Sequence, residues 1–101
     1  AILVTPDDTS VVDIENNLDG LQEQVDGMIQ AIPFPDRDDV TCYINEEGKF
    51  LCPENSAATK MLKSILFPNE YICGNLLILG FNINNGENFD CPEDLISEII
   101  R

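Results

Sequence analysis

The sequence contains no histidine and no tryptophan, and only five of its residues carry positive charge. Without imidazole the chain lacks the side chain that most often acts as general acid or base near neutral pH, and the commonest ligand of zinc and copper. The remaining residue types offer no recognisable pair of nucleophile and base and no metal cluster. We therefore expect a protein that is not an enzyme, with no catalytic residue, no metal site and no cofactor.

Long apolar runs are absent as well. Hydrophobic residues make up 44% of the chain and the mean hydropathy is −0.05, and no run approaches the ~18 residues that a bilayer span needs. The first apolar run begins at Ile2 with no basic segment before it, so the visible sequence has no signal-peptide pattern. We expect a cytoplasmic protein without membrane contact, and its 101 residues suit one domain over 1–101.

Acidic residues dominate the charge. Nineteen Asp and Glu against five Lys and Arg give a formal net charge of −14 at pH 7. Such a field repels phosphate backbones and anionic head groups, so we expect no direct nucleic-acid binding and favour a basic protein as partner. Lys49, Lys60 and Lys63 lie within residues 48–66, where Glu54 is the only acid. If the helix there exposes its lysine side, it gives the molecule one mildly basic face.

The four cysteines show no Cys-x-x-Cys spacing. We interpret them as buried free thiols in a reducing cytosol, with two disulfides or a metal site as the alternatives. Cys42 shares one face of a predicted strand with Val40 and Ile44, which favours the buried-thiol interpretation. The cysteines are Cys42, Cys52, Cys73 and Cys91.

The first half of the chain predicts a hairpin, a helix and two more strands. β-branched runs at 2–4 and 11–15, separated by turn residues, are typical of two paired strands. Asn17 is placed to cap a helix that carries Leu18, Leu21 and Val25 on one side, and Gly27 is expected to end it with a positive φ. Residues 28–34 and 40–44 then predict strands.

The polar run 45–48 is the sequence feature closest to a candidate site. We interpret it as a solvated turn with a positive φ at Gly48, followed by a brief strand over 49–51. Asn55 or Ser56 is expected to cap a helix that continues to Leu66. The most apolar run of the chain lies within 71–79 and predicts a central strand.

The end of the chain predicts a turn and a last helix. Asn85 and Gly86 are typical of a tight turn, and Asp90, Pro92 and Glu93 of a capped helix start. The resulting order β-β-α-β-β-α-β-α predicts an α+β fold, a single small domain with a mixed or antiparallel sheet and helices packed on it. These patterns do not specify the strand order.

Five segments, in their order and spacing, carry a resemblance to the domain of unknown function 3846 family, small acidic proteins of phages, plasmids and bacteria. They are residues 18–27, 29–33, 45–48, 53–58 and 74–80. The resemblance implies a single α+β domain of mobile-element or Gram-positive origin, with no established activity, cofactor or catalytic residue. The family pattern keeps the turn Asn45, Glu46, Glu47 and Gly48 and the asparagine at Asn55, while the cysteines are not part of it.

The positions kept in that pattern are therefore our candidate binding residues. They are Asn45, Glu46, Glu47 and Asn55, to which the basic face adds Lys60 and Lys63. We expect a non-enzymatic binding protein that presents carboxylates to a basic partner.

The narrowest form of this hypothesis is DNA mimicry, because fourteen charges correspond to about 24 Å of duplex at ~1.7 Å per charge. The alternative is a small-ligand or nucleotide-sequestering module with a pocket between sheet and helices, where Asn45, Asn55 and the side that bears Lys60 and Lys63 supply the polar contacts. Partner, ligand and oligomeric state are left open.

Overall fold

Strands and helices follow one another along the chain in the predicted order. The computed structural model describes residues 1–100. Its strands are β1 (Ile2–Val4), β2 (Thr9–Val11), β3 (Ile29–Pro33), β4 (Val40–Asn45), β5 (Leu76–Asn82) and β6 (Glu87–Phe89). Its helices are α1 (Leu18–Val25), α2 (Gly48–Leu51), α3 (Ser56–Met61) and α4 (Glu93–Ile99), with a short 3-10 helix at Lys63–Ile65. The predicted α+β class and element order are confirmed, with the short α2 and β6 as additions.

All six strands join one antiparallel sheet, in the order β2-β1-β5-β4-β3. β1 pairs with the first half of β5 and β6 with its second half, both on the edge of β5 opposite β4. The prediction of a central strand from the most apolar run is therefore confirmed. The predicted opening hairpin is also present, although its second strand is Thr9–Val11 and not 11–15.

Helices cover both faces of the sheet. On one face Leu21 and Val25 of α1 pack against Leu77 and Leu79 of β5. On the other face α3 and α4 pack against the side chains of β5 that point the opposite way. Because alternate side chains of β5 enter two cores, the strand is apolar at every position from 76 to 79. The second core contains Ala58, Leu62, Leu76, Ile78 and Leu95.

α1 begins at its predicted cap but ends differently. The Oδ1 of Asn17 accepts the Gly20 N–H at 2.8 Å. The expected positive φ at Gly27 is wrong, since Asp26 takes the left-handed conformation with φ 61°. Aspartate tolerates this conformation better than most residues do. Gly27 is needed for another reason, because a Cβ there would lie 2.8 Å from Nδ2 of Asn45.

The brief strand expected over 49–51 is wrong. These residues form α2, where the Cys52 N–H bonds to the Gly48 carbonyl at 2.8 Å. The backbone hydrogen bonds of this segment are therefore made locally, without a partner strand. Gly48 does not adopt a positive φ. It must be glycine because a Cβ would lie 2.7 Å from the Cys73 carbonyl oxygen.

Two helix boundaries also differ from expectation. α3 ends at Met61 and the chain continues to Leu66 through the 3-10 turn, so the predicted single helix is divided. α4 has Pro92 at its N-cap with no side-chain bond, so Asp90 does not cap it. Within residues 1–100 no helix is long and apolar enough to cross a membrane.

Candidate functional site

A groove of about 490 Å³ opens beside β3, on the face of the sheet that carries α3 and α4. We call it the β3 groove. Its apolar surface includes Ile32, Ile44 and Leu66, half-buried side chains that extend the core outward. The groove is lined by residues 30–33, 44–46, 48–50, 65–66 and 70–73.

Aromatic and charged side chains form the rim of this groove. Phe50 is 88% exposed and Tyr71 42% exposed, although both are large and apolar. The Nζ of Lys49 lies 5.7 Å above the Tyr71 ring and 4.0 Å from the Glu70 carboxylate. Lys49 is half-exposed, so this loose pair contributes little stability. The rim therefore combines exposed aromatic surface with both signs of charge.

Asn45 holds one end of the groove in place. Its Nδ2 donates to the carbonyls of Val25 and Asp26 at 3.2 and 3.3 Å. Its Oδ1 accepts the Glu47 N–H at 2.8 Å. The side chain is buried, and it joins the end of β4 to the end of α1 and the start of α2. Asn45 thus positions α2 and the groove residues on it.

Asn55 has a similar role deeper in the molecule. It is fully buried, and its Nδ2 donates to the carbonyls of Val4 and Gly74 at 2.9 and 2.8 Å. Its Oδ1 caps α3 by accepting the Ala58 N–H at 3.0 Å, which confirms the predicted cap. Both ends of the amide are occupied by backbone. Asn55 therefore ties β1, residue 74 and α3 together.

The other predicted binding residues are spread over the surface. Glu46 is exposed and lines the β3 groove, as does Lys49 next to it. Glu47 is exposed at the start of α2. Lys60 and Lys63 are exposed on α3 and the 3-10 turn, away from the groove lining. The structure thus brings Asn45 and Glu46 together at one groove, and binding by any of the six residues stays a prediction.

The free edge of β3 was not anticipated from the sequence. β3 is the last strand of the sheet and pairs only with β4. The Met28 carbonyl accepts the Glu46 N–H at 2.8 Å. Because bonded and non-bonded pairs alternate along antiparallel strands, the backbone groups of Ile29 and Ala31 point away from β4. The signal in the sequence was the uncharged stretch 27–35, bounded by acids on both sides.

Arg37 forms the shortest ion pairs among the described residues. Its guanidinium donates two hydrogen bonds of 2.9 Å to the Asp39 carboxylate and one of 2.9 Å to the Asp94 carboxylate on α4. Hydrogen bonding to Arg37 holds the pKa of both carboxyls below their ordinary value. The same bonds, to Asp39 first, raise the pKa of the guanidinium. The cluster links the loop before β4 to α4.

All four cysteines are free thiols and three of them are buried, so the free-thiol part of the preferred interpretation is confirmed, and burial is confirmed for these three. Cys42, Cys73 and Cys91 are buried, while Cys52 is partly exposed. Burial raises the pKa of Cys42 to about 12 and also raises the pKa of Cys73 and Cys91. These three thiols are protonated at neutral pH and therefore poor nucleophiles.

Acidic side chains line a second, smaller hollow beside the start of α1. It measures about 320 Å³ and includes Asp13, Glu15, Asp19 and Glu23 in its lining. All four carboxylates are exposed. Among residues 1–100, no three acidic or cysteine side chains are grouped as metal ligands would be.

The architecture defines a small α+β protein with an antiparallel sheet covered by helices on both faces and an open groove at one edge. The family model of DUF3846, a domain of unknown function, matches residues 1–101, the whole chain. The chain belongs to this family, so the resemblance carried by the five segments is confirmed. No curated protein and no solved structure matches it.

Proposed function

We propose that the protein is a non-enzymatic binding module that attaches to a basic protein partner through its surface carboxylates. The observation that carries the proposal is that most of the carboxylates form no ion pair within the described part of the chain. Of the nineteen, only Asp39, Glu70 and Asp94 form ion pairs with cations described in residues 1–100. The rest face solvent without a paired cation there, and a body with this much uncompensated charge attracts basic surfaces over long distances.

The state of the thiols supports the non-enzymatic part of the proposal. Cysteine is the strongest nucleophile the chain possesses, and three of its four thiols are buried with a raised pKa. The carboxylates with a lowered pKa, Asp39 and Asp94, are bound to Arg37 and therefore engaged in structure. Neither arrangement resembles a poised acid and base.

DNA mimicry is the narrowest form of the proposal. The longest dimension of the molecule is 32 Å, and fourteen charges match about 24 Å of duplex. A partner bound in this way is a nucleic-acid-binding protein, and duplex DNA competes for it. Competition by a duplex of about 15 base pairs, followed by anisotropy of the labelled protein, tests this form separately.

A small-ligand module is the second candidate, and the β3 groove favours it. Its volume of about 490 Å³ falls within the ~300–1,000 Å³ usual for ligand sites. Its lining combines apolar side chains with the polar groups of Gln30, Asn45 and Lys49. The groove is open along one side, however, and so suits an extended partner better than an enclosed molecule.

The test uses the immobilised full chain and cell lysate at low and high salt. Proteins captured at low salt, whether or not they are retained at high salt, are identified by mass spectrometry, purified, and titrated at several salt concentrations against three forms of the chain. These are the wild type, a variant with Asp13→Asn, Asp19→Asn and Glu23→Gln, and a control with Lys60→Gln and Lys63→Gln. We expect the first variant to bind more weakly, because it removes negative charge, and the lysine control to bind as well as or better than the wild type.

Two outcomes contradict the proposal. One is an affinity for the purified partner that does not fall as salt rises, since an electrostatic attachment is screened. The other is the lysine control losing affinity while the acid variant keeps it. The first result would assign binding to uncharged surface and the second to the basic face, and neither to the carboxylates.

A further inference from the structure

We propose that the free edge of β3 and the adjoining β3 groove bind an extended segment of the partner, which adds to the sheet as a further strand. This inference rests on the proposed function, since it takes the partner to be a basic protein. Beyond the proposed function, it specifies which surface binds a segment of the partner and which residue types that segment contains.

The backbone of β3 is ready for such pairing. The N–H and C=O groups of Ile29 and Ala31 point away from β4, and no residue among 1–100 bonds to them. Pro33 closes the strand and offers only a carbonyl. An incoming strand therefore meets two donors and three acceptors, which is the main-chain pattern of strand addition.

Three strands of the sheet have an unpaired edge, β2, β3 and β6, and they differ in their protection. β6 has three residues and begins with Glu87, and its Asn88 carbonyl already accepts a bond from Nδ2 of Asn16 at 2.7 Å. β2 has three residues, with Asp7 and Asp8 just before it and Asp13 just after it. Charges near a short strand discourage pairing with other chains. β3 has five residues, and the stretch 27–35 contains no charge at all. The edge of β3 is thus the one that is open to another strand.

The groove supplies places for the side chains of an added strand. Alternate side chains of such a strand point to the face that carries the groove, where Ile32, Ile44 and Leu66 are half-exposed. Phe50 stands at the rim, 88% exposed. Apolar side chains at every second position of the incoming segment would cover this surface. The main-chain bonds to β3 would supply affinity, and the groove would supply specificity for the side chains of the segment.

The charges around β3 determine which residue types are favoured at the two ends of the bound segment. Exposed carboxylates lie beyond both ends of the strand, Asp26 before it and Asp36 and Asp38 after it, whereas the groove itself carries both Glu46 and Lys49. Complementarity favours a segment of about five residues with apolar alternate positions and lysine or arginine at both ends. A second copy of this chain is disfavoured as occupant, because each copy carries a net charge of −14.

The probe is a fluorescein-labelled peptide, Lys-Lys-Val-Thr-Val-Thr-Val-Lys-Lys, titrated against the full chain by anisotropy. A second peptide with proline in place of the middle valine cannot complete the ladder. We expect the first to bind roughly tenfold more tightly than the second, the loss of about one main-chain bond. Nuclear magnetic resonance should show slower amide exchange at Ile29 and Ala31 when the first peptide is bound, because both amides gain acceptors.

Matched variants separate the edge from general attraction. Ala31→Pro removes an outward N–H that bonds to nothing in the chain, and Val11→Pro does the same at the β2 edge. We expect roughly tenfold weaker binding for Ala31→Pro and no change for Val11→Pro. A second pair of variants leaves the backbone unaltered. It consists of Phe50→Ser at the groove rim and Phe67→Ser, whose side chain is exposed but lies outside the groove lining.

The outcomes distinguish this inference from the proposed function. Peptide binding that weakens with salt, with no protection at Ile29 and Ala31 and no loss in Ala31→Pro or Phe50→Ser, overturns the edge but leaves the acidic binding module. Absence of binding to any basic protein or peptide overturns both. A dimer in light scattering that Ala31→Pro dissolves, or extra mass from a bound small molecule in native mass spectrometry, replaces the proposed occupant and overturns the inference.

Discussion

Two buried asparagines hold together segments that are far apart in the chain. Asn45 connects the ends of α1 and β4 to α2, and Asn55 connects β1, residue 74 and α3. Each amide forms hydrogen bonds to three backbone groups. A buried polar group is stable only when its partners are present, so these residues fix geometry as much as they add stability.

Asn55→Ala is therefore expected to be strongly destabilising. The substitution removes the buried donor that bonds to the carbonyls of Val4 and Gly74, and it removes the cap of α3. We expect the free energy of unfolding to fall by about 3 kcal/mol, from the lost buried bonds and the lost cap together. Urea denaturation followed by circular dichroism measures the change.

The matched control for this prediction is Ser56→Ala. Ser56 was the other residue that the sequence offered as a cap, and it is exposed as the first residue of α3. Its replacement should change stability by no more than about 0.5 kcal/mol. Equal losses in the two variants would mean that Asn55 does not hold the segments as described.

The ion pairs of Arg37 make the stability of the protein depend on pH. The folded-state pKa of Asp39 and Asp94 lies below the ordinary 3.8, so the stabilisation is present above that pH and is lost as the pH falls through the lower folded values. We expect Arg37→Gln to be less stable than wild type at neutral pH, with a difference that shrinks below about pH 4. Thermal unfolding at a series of pH values measures it.

Lys60→Gln serves as the control for the pH series. It removes the same charge, but Lys60 forms no ion pair with the residues that the structure describes. Its stability difference from wild type should not narrow in the same pH range. An Arg37→Gln difference that stays constant down to the lowest pH would show that the carboxylates are not the partners on which the stability depends.

Among the elements, those with regular hydrophobic patterns were the ones predictable from sequence. β5 was recognisable because it is buried on both faces and so apolar at successive positions, and α1 because Leu21 and Val25 recur along one side. α2 was not, because Lys49, Phe50 and Leu51 have no periodicity that separates a strand from one helical turn. Such short segments are decided by tertiary contacts, here the close approach of Gly48 to Cys73.

The candidate site was predictable only in part, for a related reason. Asn45 and Glu46 were named from a local pattern, and they do lie at the groove. Its other walls, β3 and residues 65–73, come from distant parts of the chain. The free edge of β3 depends on strand order, which hydrophobic patterns do not specify. Asn55 was identified as a cap, whereas its bonds to Val4 and Gly74 required the fold.

Leu77→Ala tests the role of β5 as the element that serves two cores. Leu77 is fully buried against α1, so its truncation removes apolar contacts and leaves a cavity. We expect a loss of about 3 kcal/mol in the free energy of unfolding. Phe50→Ala is the control, because Phe50 is large but 88% exposed and should cost no more than about 0.5 kcal/mol. A large loss in the free energy of unfolding for Phe50→Ala would mean that the Phe50 side chain is packed in a core, contrary to its exposure.

For the whole molecule, negative charge works against the compact state. The net charge of −14 repels itself across a body of 32 × 27 × 25 Å, and salt relieves part of that repulsion. The repulsion is uneven. Asp19 and Glu23 are four residues apart on α1, which has no basic residue in its last turn, and both border the acidic hollow. The same field that attracts a basic partner is therefore most costly at α1.

Glu23→Lys is expected to stabilise the protein by about 1 kcal/mol at low salt. It replaces a repulsive pair with Asp19 by an attractive one and places a cation near the C-terminal end of α1. Glu87→Lys on β6 changes the net charge equally without a helix around it, so it measures the effect of total charge alone. Thermal unfolding at low and high salt should show the larger gain in Glu23→Lys, and that gain should shrink as salt rises. Equal gains in the two variants would make the repulsion a property of total charge, with no special weight at α1.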